Sequence, residues 1–234
     1  MARILVTRPE TDAPDFLALC RERGHEPIFT PLMQIRFIAG GTIPFDGIQA
    51  LAITSANGVR AFARLEPRRD LAVYAVGAAS AAVAREFGFT DVHEASGDVG
   101  SLARLIATKT DAARGAFLHP CGQVLAGDLA GLLAASGHIV RQEVLYAAEP
   151  VDALPQALIL AAQEGKGVVT LFSPRTARIL LGIAERVDFS ALDAAVLSLA
   201  VAEALLPMRF RRVLTAAAPR ADALLDAIEA ALSA

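Results

Sequence analysis

The sequence of 234 residues predicts an α/β fold in two related halves, each a parallel sheet covered by helices on both faces. Three observations carry this. Strand-like and helix-like stretches alternate along the whole chain, and the strands are continuous apolar runs, as strands buried on both faces require. The chain also says similar things twice. ALAITSANGVRAF from Ala50 and VVTLFSPRTARIL from Val168 are each an apolar run, a hydroxyl residue and a helix-like stretch, and aligning Ser55 with Ser173 places Arg60 on Arg178. Finally, a second pair follows the first: YAVGAASAAVAREFG from Tyr74 and AAVLSLAVAEALL from Ala194, at a similar offset of roughly 120 residues, about one domain length.

The elements follow in order. Arg3–Val6 reads as a buried strand, with a helix to about Arg23 whose stripe is Phe16, Leu17 and Cys20 and whose stop is Gly24. Pro27–Ile38 is extended, because Pro27 and Pro31 exclude a helix, and Gly40–Gly47 is turn-rich. Ala50–Thr54 and Ala72–Val76 are strands, followed by helices from Ser55 and over Ser80–Phe87, the latter closed by Gly88. Val99–Ala107 is a helix, Ala116–His119 a short strand, and Leu125, Leu129, Leu132 and Leu133 a helical stripe ending at Gly137. Ile139–Pro150 is extended again and Ala153–Gln163 helical. Gly167–Phe172 is a strand with Pro174 at the first helical position after it. Ala195–Ser198 and Arg212–Ala216 are strands, and Pro219 opens a last helix through Leu224, Leu225, Ile228 and Leu232. The two extended segments, each after a Gly-His pair (Gly24-His25 and Gly137-His138), are candidate connections between the halves and would make the first domain discontinuous.

Composition narrows the function. Hydrophobic residues make up 54% of the chain, much of it Ala and Leu, which suits packed helices and not disorder. Trp is absent, the net charge is −3 and the pI is near 5.8, all of which disfavour a nucleic-acid partner. The basic runs Arg68-Arg69 and Arg209, Arg211, Arg212 read as solvated loops or helix ends. Cys20 and Cys121 form no metal spacing, and the four His are scattered, so no metal is expected. No apolar run reaches a membrane-spanning length and MARILVTRP is not a signal peptide, so a cytoplasmic location is expected. GxGxxG, GxxxxGK[ST] and GxSxG are all missing, which disfavours dinucleotide, ATP and serine-hydrolase chemistry.

What remains is anion binding. Parallel sheets hold ligands beyond the carboxyl ends of their strands, where Thr7, Ser55, Gly77, His119, Ser173, Ser198 and Thr215 fall. Ser55 and Ser173 also read as helix N-caps, and helix N-termini attract anions. The plain alternative is that each Ser only caps its own helix. The expectation is a polyanionic ligand held between two domains.

The chain as a whole resembles the uroporphyrinogen-III synthase family. The segments that carry the resemblance are ILVTRP at Ile4, TPL at Thr30, ITSANGVRAF at Ile53, YAVGAASAAVAREFG at Tyr74, FLHPCG at Phe117, EVLYAAEP at Glu143, TLFSPRTA at Thr170 and the run from Ser198 to Leu205; their order and spacing matter more than any one of them. The resemblance implies two flavodoxin-like doubly wound parallel-sheet domains joined by a two-stranded linker. One would combine 1–36 with 149–234, the other would span 37–148, and the linkers would lie near 34–40 and 140–150. It implies cyclisation of hydroxymethylbilane to uroporphyrinogen III, with loss of water and inversion of ring D, by a monomer needing no cofactor and no metal. It leaves open a transient contact with hydroxymethylbilane synthase, which supplies the substrate.

Carried over by motif, Tyr146 is the candidate catalytic residue, a phenol protonated at neutral pH given the ordinary tyrosine value of about 10. Its plain alternative is a linker tyrosine packed against a domain edge. Ser55 and Ser173 match the hydroxyls of the family's two turns, and Ser80 stands, with Gly77, in its VGxxT turn. Arg8 is a candidate carboxylate partner, or else a surface ion pair; Arg175 and Arg178 are weaker candidates. Two turns depart from the family pattern: Gln123–Ala126 lacks a basic residue, and Leu197–Ala202, which contains Ser198, lacks the Gly and Thr. The rival of another class is a noncatalytic cytoplasmic two-domain binding or sensor protein for a small anionic metabolite.

Overall fold

The structure, a computed structural model, describes residues 1–38, 41–125 and 127–233. Gly40, where the turn-rich stretch begins, and Ala126, which ends the first altered turn, lie outside the described residues. The chain runs β1 (Arg3–Val6), α1 (Pro14–Glu22), β2 (Glu26–Phe29) and β3 (Met33–Phe37), then β4 (Ile48–Ile53), α2 (Ala56–Leu65), β5 (Ala72–Ala75), α3 (Ala78–Glu86) and β6 (Val92–Glu94). It continues with α4 (Val99–Lys109), β7 (Ala116–Gly122), α5 (Leu129–Ala134) and β8 (Val140–Pro150). Last come α6 (Gln156–Glu164), β9 (Val168–Leu171), α7 (Pro174–Ile183), β10 (Asp193–Val196), α8 (Leu199–Leu205), β11 (Arg212–Thr215) and α9 (Ala221–Ser233).

Several elements differ from the sequence reading, each for a local reason. β6 gives no strand signal in the sequence, because its three residues, Val-His-Glu, are too few and too polar to show a period. Leu125 lies outside α5: the Asp128 carboxylate accepts from Gly131 N at 2.8 Å and starts the helix at Leu129. Leu129 and Leu133 are buried one turn apart, whereas Leu132 is half exposed. The carbonyl of Pro155, not Ala153, accepts the first bonds of α6, from Leu158 and Ile159. Pro219 precedes α9 in a bend, and the helix's first bond runs from Leu224 N to the Arg220 carbonyl.

Two compact units result: residues 1–34 with 149–234, and residues 35–148. The first has the sheet order β11-β10-β9-β1-β2; the second has β3-β8-β7-β4-β5-β6. With β3 set aside, β8-β7-β4-β5-β6 repeats β2-β1-β9-β10-β11 place for place. The repeated sequences therefore occupy equivalent places: β4–α2 matches β9–α7, and β5–α3 matches β10–α8. The chain enters the two units at different strands. In the first it starts at β1, steps to β2 and returns beside β1 as β9; in the second it starts at β4, winds outward to β6 and returns beside β4 as β7. Within the central strands every pairing is parallel.

Successive residues of the central strands feed opposite faces. Leu5 joins the core under α6, α7 and α8, while Ile4 and Val6 join the core under α1 and α9. In the second unit Leu51 and Ile53 pack under α2 and α3, while Ala50 and Ala52 pack under α4 and α5. Each sheet is covered on both faces, which makes its central strands largely apolar. The reversal of strand order falls between β1 and β9 in one unit and between β4 and β7 in the other, and ligands of open parallel sheets bind beyond the carboxyl ends at such points.

Candidate functional site at the strand carboxyl ends

In the first unit the reversal point carries Arg8, two residues past β1, and Ser173, two residues past β9. Arg8 is half-buried, with its guanidinium 4.7 Å from the centre of the Phe172 ring. Phe172 is held edge-on by Phe16 at 5.0 Å, so the cation rests on a fixed platform. Burial pulls the Arg8 pKa down, and the nearby carboxylates of Asp12 and Asp15 pull it back up. The side chain remains a cation, because guanidinium stays protonated in proteins.

Ser173 caps α7: its Oγ accepts from Thr176 N at 3.1 Å and lies 2.9 Å from Thr176 Oγ1. Pro174 occupies the first turn, where its missing N–H costs nothing. Thr176 is absent from the residues the sequence analysis singles out, although S-x-x-T at a helix start is the capping spacing that marks it. Arg175 is half-buried and Arg178 is exposed on α7. Ser198 stands at the start of the short helix α8 in extended conformation, but its hydroxyl makes no cap bond.

In the second unit Ser55 follows β4 and caps α2, its Oγ accepting from Asn57 N at 3.2 Å. Asn57 is buried at 5% exposure and its Oδ1 accepts from Arg60 at 3.0 Å. Gly77 starts α3 with extended backbone, which any residue can adopt. The glycine is needed for space: a Cβ there would stand 3.2 Å from Cα of Gly97. Ser80, in the same first turn, is buried at 5% exposure.

β7 extends past His119 to Gly122, further than the sequence indicates, because Pro120 hides the strand's continuation. Its end is irregular, with register shifting between Cys121 and Gly122 so that Gly122 faces Tyr146 of β8. Gln123 N donates to the Tyr146 carbonyl at 3.0 Å. A Cβ on Gly122 would lie 2.8 Å from the Tyr146 ring, so this glycine is the floor on which the ring lies. The ring itself is half-buried and packs against the second unit's core cluster under α2 and α3.

The structure thus places Arg8 and Ser173 at one reversal point, and Ser55 and the Gly122–Tyr146 contact at the other; Gly77, Ser80 and Ser198 lie one strand further out in their units. Among the described residues no group of three or more His, Cys, Asp or Glu is placed to hold a metal ion. A hollow of about 340 Å³ lined by Arg3, Lys166, Asp193 and Arg211 lies at the amino ends of β1, β9 and β10, away from these residues. The basic runs do more than face solvent. Arg211 and Arg212 both grip the buried Asp193 carboxylate, at 2.8 and 2.7 Å, and Arg69 donates to the carbonyls of Glu66, Arg68 and Phe87.

Comparison with known proteins bears on the family and the fold. The profile of the family described as uroporphyrinogen-III synthase HemD matches residues 15–226. The uroporphyrinogen-III synthetase of Helicobacter pylori is similar in structure, with a TM-score of 0.65 at 16% identity over 100% of this chain and 99% of that one. A mutant uroporphyrinogen III synthase of the extremely thermophilic bacterium Thermus thermophilus gives 0.54 at 17% identity, over 100% and 99%. At such identities the likeness is one of fold. No curated relative matches at the sequence level.

Proposed function

The chain belongs to the uroporphyrinogen-III synthase family, and from that premise we propose how its strand ends carry out the family's reaction. It is a cyclising lyase of tetrapyrrole biosynthesis: it closes hydroxymethylbilane to uroporphyrinogen III with loss of water and inversion of ring D. The observation that carries this is the family match over residues 15–226. The binding-protein alternative draws no support from the same comparisons.

The linear substrate is already activated. Loss of water at its hydroxymethyl carbon gives an azafulvene-type electrophile, and ring D attacks it through a spiro intermediate that inverts that ring. Left alone, the chain closes to the uninverted type I isomer. The protein therefore has to fold the substrate and favour one closure, and each ~1.4 kcal/mol of preference gives about tenfold in rate. Positioning by many modest contacts can supply this.

In this reading Arg8, Ser55, Gly77, Ser80, Ser173 and Ser198 hold substrate carboxylates, of which the tetrapyrrole carries eight. Charge-assisted hydrogen bonds are worth about 1.5–3 kcal/mol each, so a handful would suffice on a chain of net charge −3. The Arg8 cation on its aromatic platform and the N-termini of α2 and α7 support that assignment. Tyr146 donates to the departing hydroxyl; the close fit of its ring on Gly122, which limits where the phenol can point, supports that role. Action as a cytoplasmic monomer that meets hydroxymethylbilane synthase transiently completes the reading and rests on the resemblance. Among the described residues no helix is long and apolar enough to cross a membrane.

A coupled assay tests the activity. Porphobilinogen deaminase generates hydroxymethylbilane beside the purified chain, and the oxidised products are resolved by isomer. Predominantly type III is expected; type I alone from folded protein would overturn the reading.

A further inference from the structure

The second unit holds a buried polar pair where the first holds an apolar one. Sheet register pairs Leu51 with Leu118 and Val169 with Leu5. The repeat that sets Ser55 on Ser173 therefore sets His119 on Val6 and Thr54 on Phe172. Val6 is fully buried, and Phe172 packs against the same core. This corner of the fold closes with valine and phenylalanine in one unit, so the fold itself does not call for histidine and threonine in the other.

His119 is 1% exposed, and its Nε2 lies 2.9 Å from Thr54 Oγ1. Its Nδ1 is buried with no hydrogen-bond partner among the described residues. A stranded N–H is rarer in protein interiors than an under-used acceptor. The ring proton therefore belongs on Nε2, which donates to the threonine oxygen. Burial also lowers the His119 pKa to about 4, which keeps the ring neutral in the cell's pH range. With its oxygen engaged by the imidazole, the Thr54 hydroxyl is left to act as a donor. Thr54 is half-buried at the carboxyl end of β4, immediately before the capping Ser55 and at the unit's reversal point.

We infer that His119 is a positioning residue: its Nε2–H fixes the Thr54 hydroxyl as a hydrogen-bond donor to a carboxylate of the linear tetrapyrrole. The inference rests on the synthase reading and adds to it a polar pair, neither member of which bears charge.

The test measures KM, kcat and the ratio of type III to type I product for the full chain and its variants, with hydroxymethylbilane generated in the assay. Thr54→Val should raise KM roughly tenfold to a hundredfold, the worth of one hydrogen bond to a carboxylate. His119→Val, which installs the other unit's residue, should raise it by no more than that, and both should leave kcat within about twofold. The double variant should be no worse than Thr54→Val, because the histidine acts only through the threonine. His119→Gln, whose amide can donate, should recover most of the loss. Additive effects in the double variant, or an unchanged KM in folded Thr54→Val, would overturn the inference. The latter needs no histidine variant to fold. Wild-type protein that yields only type I product would instead remove the synthase reading itself.

Discussion

Tyr146 offers a prediction whose size separates two roles. If the phenol gives only a hydrogen bond to the leaving hydroxyl, Tyr146→Phe removes about 0.5–1.5 kcal/mol, a loss of roughly twofold to tenfold in kcat. If it transfers a proton as that hydroxyl departs, the loss is about a hundredfold or more. The expected outcome is a slowed kcat with an unchanged unfolding midpoint, read by single-turnover kinetics and thermal denaturation; full activity would remove the residue from the mechanism. As a candidate, Tyr146 stands out in the sequence only through the EVLYAAEP resemblance. Gly122 beneath it was not, since a glycine after Pro-Cys carries no periodic signal and its purpose shows only when the β8 ring is seen 2.8 Å from where its Cβ would be.

At the level of elements, hydroxyls that look alike in the sequence do different things. Ser173 caps α7 through Thr176 N, whereas Ser198 heads α8 with no cap bond. Ser173→Ala should cost about 1 kcal/mol of stability. Ser198→Ala should stay within about 0.5 kcal/mol and show itself, if at all, in KM. Paired urea titrations at constant slope check both, and equal losses would mean that Ser198 caps after all. The residues that follow differ as well: Ser-Pro-Arg-Thr adds a proline in the first turn and a second hydroxyl 2.9 Å from Ser173 Oγ, neither of which Ser-Leu-Ala-Val supplies.

For the whole molecule, acid stability turns on a carboxylate that no sequence pattern marks. Asp193 begins β10 almost fully buried. Burial alone would raise its pKa, but the bonds from Arg211 and Arg212 win and hold it at about 2, below the ordinary 3.8. The folded-state value is the depressed one. Its stabilisation is therefore complete above about pH 4 and disappears as pH falls through about 2. Asp193→Asn should lower the denaturation midpoint at pH 7, and the gap from wild type should shrink between about pH 4 and pH 2; a gap constant with pH would overturn this.

The sequence by itself determined the βα alternation, the repeat that pairs Ser55 with Ser173, and the family, because apolar runs, caps and motif order are local and linear. Only the tertiary structure decided that β4–β7 and β1–β9 are equivalent reversal points, that His119 stands where the other unit has Val6, and that Gly122 underlies Tyr146. Each of these depends on register between strands far apart in the chain, which no window of sequence contains.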